Sequence, residues 1–171
     1  MERAPATEPA SRTERPRVDV AVLMERETAP NRYEDWRFRV ADVVADEPAF
    51  GRESRVLRDD GRLQLTLHPG FSLELYRDQA EGYYLNLSSG APVWFVVWRL
   101  HDEDPSQATP ETVSLSYNEA GRWLDAQERV DNVPLSADLV AWLRAYTDEH
   151  YRPEPKKRQR PQSFVTPGER R

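Results

Sequence analysis

From Val18 to Tyr117 the chain is a succession of short windows in which apolar and polar residues alternate. Val18-Asp19-Val20-Ala21-Val22-Leu23-Met24 alternates and then turns apolar, which predicts a strand. Ala29-Pro30-Asn31 is a turn signal. Trp36, Phe38 and Val40 then alternate with Arg37, Arg39 and Ala41, in a run that can reach Val44. A strand there has one apolar face and one basic or small face, so half of it faces water. Asp46 to Ser54 reads as a loop, Arg55-Val56-Leu57 as a short strand and Asp59-Asp60-Gly61 as a tight turn. Leu63, Leu65 and Leu67 predict the next strand. His68-Pro69-Gly70 predicts a turn separating it from a further strand carrying Phe71, Leu73 and Leu75. After a polar turn from Arg77 to Gly82, Tyr83, Leu85 and Leu87 alternate with Tyr84, Asn86 and Ser88, again at strand period.

The most apolar window is Val93-Trp94-Phe95-Val96-Val97-Trp98-Arg99-Leu100, bounded by Pro92 and the acidic turn from Asp102. β-branched and aromatic residues fill it, so it predicts a central strand buried on both faces. Trp94, Val96 and Trp98 fall on one face, and Phe95, Val97 and Arg99 on the other. Asp102 to Pro110 is an acidic loop, and Val113, Leu115 and Tyr117 make one more alternating strand. The period then changes. Asn118 opens a short helix carrying Ala120, Trp123, Leu124 and Gln127. Ser136 opens a longer one, with Leu135 placed to pack on Val140 and Leu139, Trp142, Leu143, Tyr146 and His150 on one face. Arg152-Pro153-Glu154-Pro155 stops it.

Short strands at such close spacing pair antiparallel, because parallel crossovers need about a dozen intervening residues. The expected fold is therefore mainly β with C-terminal helices. An antiparallel meander curls into a sandwich or partly open barrel, and the C-terminal helix packs on it. A two-layer α+β arrangement is the alternative. The organisation reads as a disordered leader (1–17), a single globular domain (18–152) and a basic, proline-containing tail (153–171).

Charge sharpens this division. Of the 171 residues, 32% are charged, 38% are hydrophobic, and the net charge is −6. Residues 152–171 hold seven basic and two acidic residues, a net +5, and residues 1–17 a net +1, which leaves −12 on the middle. A body of that charge repels nucleic acid at long range, so only the tail is suited to an anion. There is no cysteine, which excludes disulfides, thiolate metal sites and cysteine nucleophiles. No window approaches the roughly 20 apolar residues of a membrane span. The first 17 residues lack an apolar signal core, so no membrane is expected and the cytoplasm is the default location.

Candidate chemistry is sparse. His68, His101 and His150 are the only histidines, and none stands at ligand spacing from another. Asp102, Glu103 and Asp104 lack the spacing of a calcium loop. No nucleophile elbow or phosphate loop appears, so no catalytic residue, metal site or cofactor is assigned. Two sets of residues invite a binding role. In the tail, Lys156, Lys157, Arg158 and Arg160 are followed by Phe164, an apolar anchor that a merely solvating end does not need. Such segments bind a protein partner by folding onto it. In the body, Trp36 and Tyr84 are suited to stack on a ring and Arg37 to hold an anion, with His68 and Asn86 as further polar contacts. A hydrolase or transferase using His68 with a carboxylate such as Glu81 ranks third.

The order of several pieces is also distinctive. Val22-Leu23-Met24-Glu25-Arg26, Trp36-Arg37-Phe38-Arg39-Val40, Leu67-His68-Pro69-Gly70-Phe71, Glu81-Gly82-Tyr83-Tyr84-Leu85-Asn86-Leu87, Leu115-Ser116-Tyr117-Asn118-Glu119-Ala120 and Tyr151-Arg152-Pro153-Glu154-Pro155-Lys156-Lys157 resemble an uncharacterised proteobacterial family of unknown function. Its members tend to be encoded beside molybdenum-dependent formate dehydrogenase and its maturation factors. The resemblance implies a non-catalytic accessory or adaptor protein for assembly or maturation of that system, with a dehydrogenase subunit or maturation factor as partner. Some members carry a label for molybdopterin-guanine dinucleotide biosynthesis, but this chain has no early glycine-rich loop of the kind expected of the transferase in that pathway. A small-ligand module for a pterin-like or nucleotide-like molecule is the alternative function.

Overall fold

Backbone amides must find partners once apolar side chains leave water, and here the short strands supply them to one another. A computed structural model describes residues 14–28 and 35–153. The strands are β1 (Arg17–Thr28), β2 (Trp36–Ala45), β3 (Arg55–Asp59), β4 (Leu63–Glu74), β5 (Val93–Leu100), β6 (Ala108–Ser114) and β7 (Arg129–Pro134). The helices are α1 (Ala80–Ser88), α2 (Tyr117–Asp125) and α3 (Ala137–His150). One antiparallel sheet has the order β2-β1-β4-β3 and the other β6-β5-β7. Their inner faces share one core: Val20, Val22, Met24, Val40 and Leu73 meet Trp94, Val96, Trp98, Ala108 and Val133. The result is a β-rich sandwich with helices added and no closed barrel. The turn signal at 29–31, the leader up to residue 13 and the tail from 154 onward lie outside the described residues. Pro16 already joins the sheet, its carbonyl accepting from the Leu75 amide.

The central strand is as expected. Residues Trp94 to Trp98 are all buried, and Arg99 emerges to pair with Glu128. Trp94, Val96 and Trp98 face the sandwich core. On the opposite face the Phe95 ring meets Tyr117 of α2 edge-on, 6.5 Å between centroids. Three hairpins, β1–β2, β3–β4 and β5–β6, follow the expected antiparallel pattern. The sheets are not simple meanders, because β4 returns to β1, and β7 returns to β5 after α2.

Three expectations need correcting. His68-Pro69-Gly70 is not a turn between two strands. It is an irregularity inside one long β4, where the register with β1 shifts between Val20 and Val22. Gly70 takes φ 91° there, and pairing with β3 stops at Leu67, so one side of Pro69 has no partner strand to disappoint. Second, Tyr83 to Ser88 is helical, not a strand. The residues that decide it recur at three to four: Ala80, Tyr83 and Asn86 are buried, and Leu87 packs against the core. Third, α2 is capped by Ser116, whose hydroxyl accepts from the Glu119 amide, and Tyr117 begins that helix instead of ending a strand. Strand β7 was not anticipated: its sequence Arg-Val-Asp-Asn-Val-Pro resembles a loop, yet Val133 is core and Asp131 accepts from the Val40 amide at 2.8 Å. That bond ties an edge of one sheet to an edge of the other.

Helices α1 and α3 close the end of the sandwich where β5 begins. Tyr83 and Tyr146 meet edge-on at 5.9 Å, and Leu143 is fully buried. As expected, Ser136 caps α3, and His150 stacks against Tyr146, 4.4 Å between ring centroids. Gly82 lets α1 approach the start of α2. A Cβ there would overlap the Ser116 hydroxyl and lie 3.0 Å from Ser116 Cβ. Ser116 cannot easily yield, since its hydroxyl also donates to Gln79 at 2.7 Å. Gly82→Ala should therefore cost about 1–3 kcal/mol, read as a lower midpoint in urea unfolding. An unchanged midpoint would show that the helices can part freely. Val96 is fully buried, so Val96→Asp should give no soluble, cooperatively melting protein.

Candidate functional site

At the end of the sandwich opposite α1 and α3 a cleft opens between β2 and β5. β2 starts there with Trp36 and Phe38, and β5 ends there with Trp98 and Leu100. These residues line an open cleft of about 520 Å³ with Asp35, Arg37, Pro105 and Arg129. Strand alternation explains the rings: Trp36, Phe38 and Val40 take the inner face of β2 and Arg39 the outer, where Glu25 holds it, while the exposed Arg37 also lines the opening. Phe38 packs on Trp98 with centroids 6.0 Å apart and planes at 50°. Arg129 is opposite Trp98 in the β5–β7 ladder, and its guanidinium carbon sits 5.2 Å from the Trp98 ring centroid. That is cation–π distance.

The five residues proposed from sequence to hold a ligand are not brought together. Trp36 and Arg37 are at this cleft. His68 lies on the inner face of β4 opposite Val22, 8% exposed, beside a void of about 20 Å³ that Phe38 also lines. Tyr84 is on α1, stacked near Tyr151 at 4.7 Å. Asn86 is buried, and its amide is spent on backbone: Nδ2 donates to the carbonyls of Val93 and Leu115, and Oδ1 accepts from the Val93 amide. It braces α1 to the start of β5 and the end of β6. Lys156, Lys157, Arg158, Arg160 and Phe164 lie outside the described residues. Sequence reasoning missed Trp98 and Arg129 as cleft residues. The first was read as core, and the second lies in the unanticipated β7.

The family described as "Protein of unknown function (DUF3305)" matches residues 19–160. The chain belongs to this family. The matched region runs from β1 past the end of α3, so the whole sandwich and its cleft are DUF3305 structure. No curated protein and no solved structure matches the chain.

Within this DUF3305 fold, the titratable groups of the interior have structural surroundings. His68 Nδ1 is hydrogen-bonded to the Ser54 hydroxyl at 2.8 Å, while its buried Nε2 has no partner among the described residues. A base at this position would form an imidazolium with no carboxylate bonded to it, which is costly in a dry setting. Glu81, the carboxylate proposed to assist it, is on α1. A second cleft, lined by Glu74, Tyr76, Tyr83, Ser114 and Glu119, lies between β4 and β6. Burial raises the Glu119 carboxyl above its ordinary range, and Arg122 and the Ser114 hydroxyl oppose the shift. Burial also pushes up the Tyr83 phenol, which accepts from the Tyr76 amide. The acidic loop after β5 is self-contained, with Asp104 accepting from the amide and hydroxyl of Ser106.

Two opposite pH dependences follow. Burial lowers the His68 pKa, so the unfolded chain takes up that proton near pH 6.5 while the folded chain resists it. The associated stability is complete above about pH 6.5 and is lost as pH falls through the folded value. Glu119 is raised, so its stability is complete below the ordinary glutamate value of about 4.3 and is lost as pH rises through the folded value. His68→Leu should flatten the drop in melting temperature between about pH 7 and 5. Glu119→Gln should raise the melting temperature near pH 7, with the gain vanishing near pH 4. A wild-type pH slope in both variants would sink this assignment.

Proposed function

We propose that this protein is a non-catalytic accessory protein, an adaptor in assembly or maturation of a molybdenum-dependent formate dehydrogenase system. The observation that carries the adaptor reading is a pair of touching helices that keep large apolar side chains in water. Leu124 and Tyr117 of α2 are 58% and 56% exposed, and Tyr84 and Leu85 of α1 are 44% and 36% exposed. Exposed apolar groups on two neighbouring helices suit a protein partner. The resemblance noted above supplies the system, with a dehydrogenase subunit or a maturation factor as that partner. The tail residues Lys156, Lys157, Arg158, Arg160 and Phe164 are suited to extend the contact to an acidic surface.

A tagged protein captured from its native host should co-purify a dehydrogenase subunit or a maturation factor. Leu85→Ser with Leu124→Ser should reduce that yield severalfold while shifting stability by no more than about 0.5 kcal/mol each. Tyr117 is left in place because it supports Phe95. Truncation after Pro155 should weaken capture as well. Recovery of neither partner class by the wild type would refute the reading.

The aromatic cleft favours a second reading, a small-ligand module. Its volume of about 520 Å³ falls within the range of ligand sites, and its lining combines the rings of Trp36, Phe38 and Trp98 with the charged Asp35, Arg37 and Arg129. Pterin-like and nucleotide-like molecules are the candidates.

A further inference from the structure

The cleft at Trp36, Phe38, Trp98 and Leu100 also holds three charged side chains, Asp35, Arg37 and Arg129. Arg129 makes no hydrogen bond and no ion pair among the described residues, and its one recorded contact is with the Trp98 face. Other strand arginines are held by carboxylates, Arg39 by Glu25 and Arg99 by Glu128. A guanidinium carries five N–H donors in a fixed fork suited to carboxylate or phosphate. Here the Trp98 ring holds one side of it, and its donors remain unspent beside a wall that carries Trp36 and Phe38. Rings along that wall offer stacking to a flat partner. Asp35 lines the same cleft, so the anionic part of such a partner has to be turned toward Arg129.

Resting on the ligand-module reading, we propose that this cleft binds a planar aromatic ring carrying an anionic group, with Trp36 and Phe38 taking the ring and Arg129 the anion. Neither part suffices alone. An isolated anion gains one exposed arginine, and a neutral ring leaves the guanidinium unpaired.

The test is calorimetric titration of the full chain with AMP and flavin mononucleotide, each against its dephosphorylated counterpart, adenosine and riboflavin, and against inorganic phosphate. The phosphorylated rings should bind saturably. The neutral rings and phosphate alone should bind at least about tenfold more weakly, the size of one charge-assisted hydrogen bond. Arg129→Gln should erase the preference for the phosphorylated ring without lowering the melting temperature. Trp36→Ala should weaken every ring and leave phosphate unaffected. Equal binding of neutral and phosphorylated rings, unchanged in Arg129→Gln, overturns the anion assignment while keeping a ligand module. Phosphate alone matching AMP overturns the ring. No saturable binding by any of the five at millimolar concentration overturns this inference and the ligand reading together, and leaves the adaptor reading standing.

Discussion

Strand β5 is dry on both faces, and that condition governs the rest of the molecule. A strand can lose water on both sides only if both of its edges are paired. Here β6 takes one edge and β7 the other. Each buried Val, Phe or Trp side chain then contributes about 1.5–3 kcal/mol or more. The same condition demands cover above and below. The four-stranded sheet covers Trp94, Val96 and Trp98, while α2 reaches Phe95. The ladder also needs a clean start. Asn86 provides it from α1, by exchanging bonds with both backbone groups of Val93. One buried amide thus joins helix, central strand and the end of β6. Such a group is tolerable in an interior because its bonds are made.

The ends of the sandwich are finished differently. At one end α1 and α3 supply Tyr83, Leu143 and Tyr146, and the polar atoms there have partners. Tyr83 accepts from the Tyr76 amide, and Ser116 is bonded to Gln79 and Glu119. At the other end, no helix of the described residues lines the cleft. The rings of Trp36, Phe38 and Trp98 form its wall, and the Arg26 side chain reaches over to the Ser106 carbonyl. The sheets are joined along one side by Asp131 bonding the Val40 amide, and the cleft opens beyond that point.

Much of this was written in local patterns. Strands that expose one face carry strict alternation, as in Trp36-Arg37-Phe38-Arg39-Val40, and the doubly buried β5 carries an unbroken apolar run. The Ser136 cap and the face of α3 were equally plain. Other parts were hidden for definite reasons. Tyr83 to Ser88 holds apolar residues that satisfy a period of two and a period of three to four at once. Packing chose the helix, through Gly82 against Ser116 and Asn86 against two strands. Pro69 and Gly70 usually break a strand, but at an unpaired flank they bend one. β7 carries only two valines, three apart, and its place beside β5 depends on partners about thirty to forty residues earlier. The cleft was half legible. Trp36 and Arg37 were visible as binding residue types, whereas Arg129 gained its meaning only from lying opposite Trp98.

The distribution of unsatisfied groups separates structural from functional polarity. Two buried side-chain atoms among the described residues lack a partner, His68 Nε2 and Trp98 Nε1. Each carries a cost of about 1–3 kcal/mol. Phe38 links their surroundings, since its ring packs on Trp98 and it lines the small void beside His68. The void of about 20 Å³ exceeds the least space a water needs, so one water bonded to His68 Nε2 would offset part of its cost. At the closed end, by contrast, Asn86 and Ser116 are bonded throughout. Sequences that fold well satisfy local rules nearly everywhere and depart from them where something other than stability is being served. In this sandwich the two orphaned ring nitrogens lie at and beside the cleft, where among the described residues Arg129 also has no counter-charge. Among the described residues, that end is therefore where the fold leaves buried polar atoms unsatisfied.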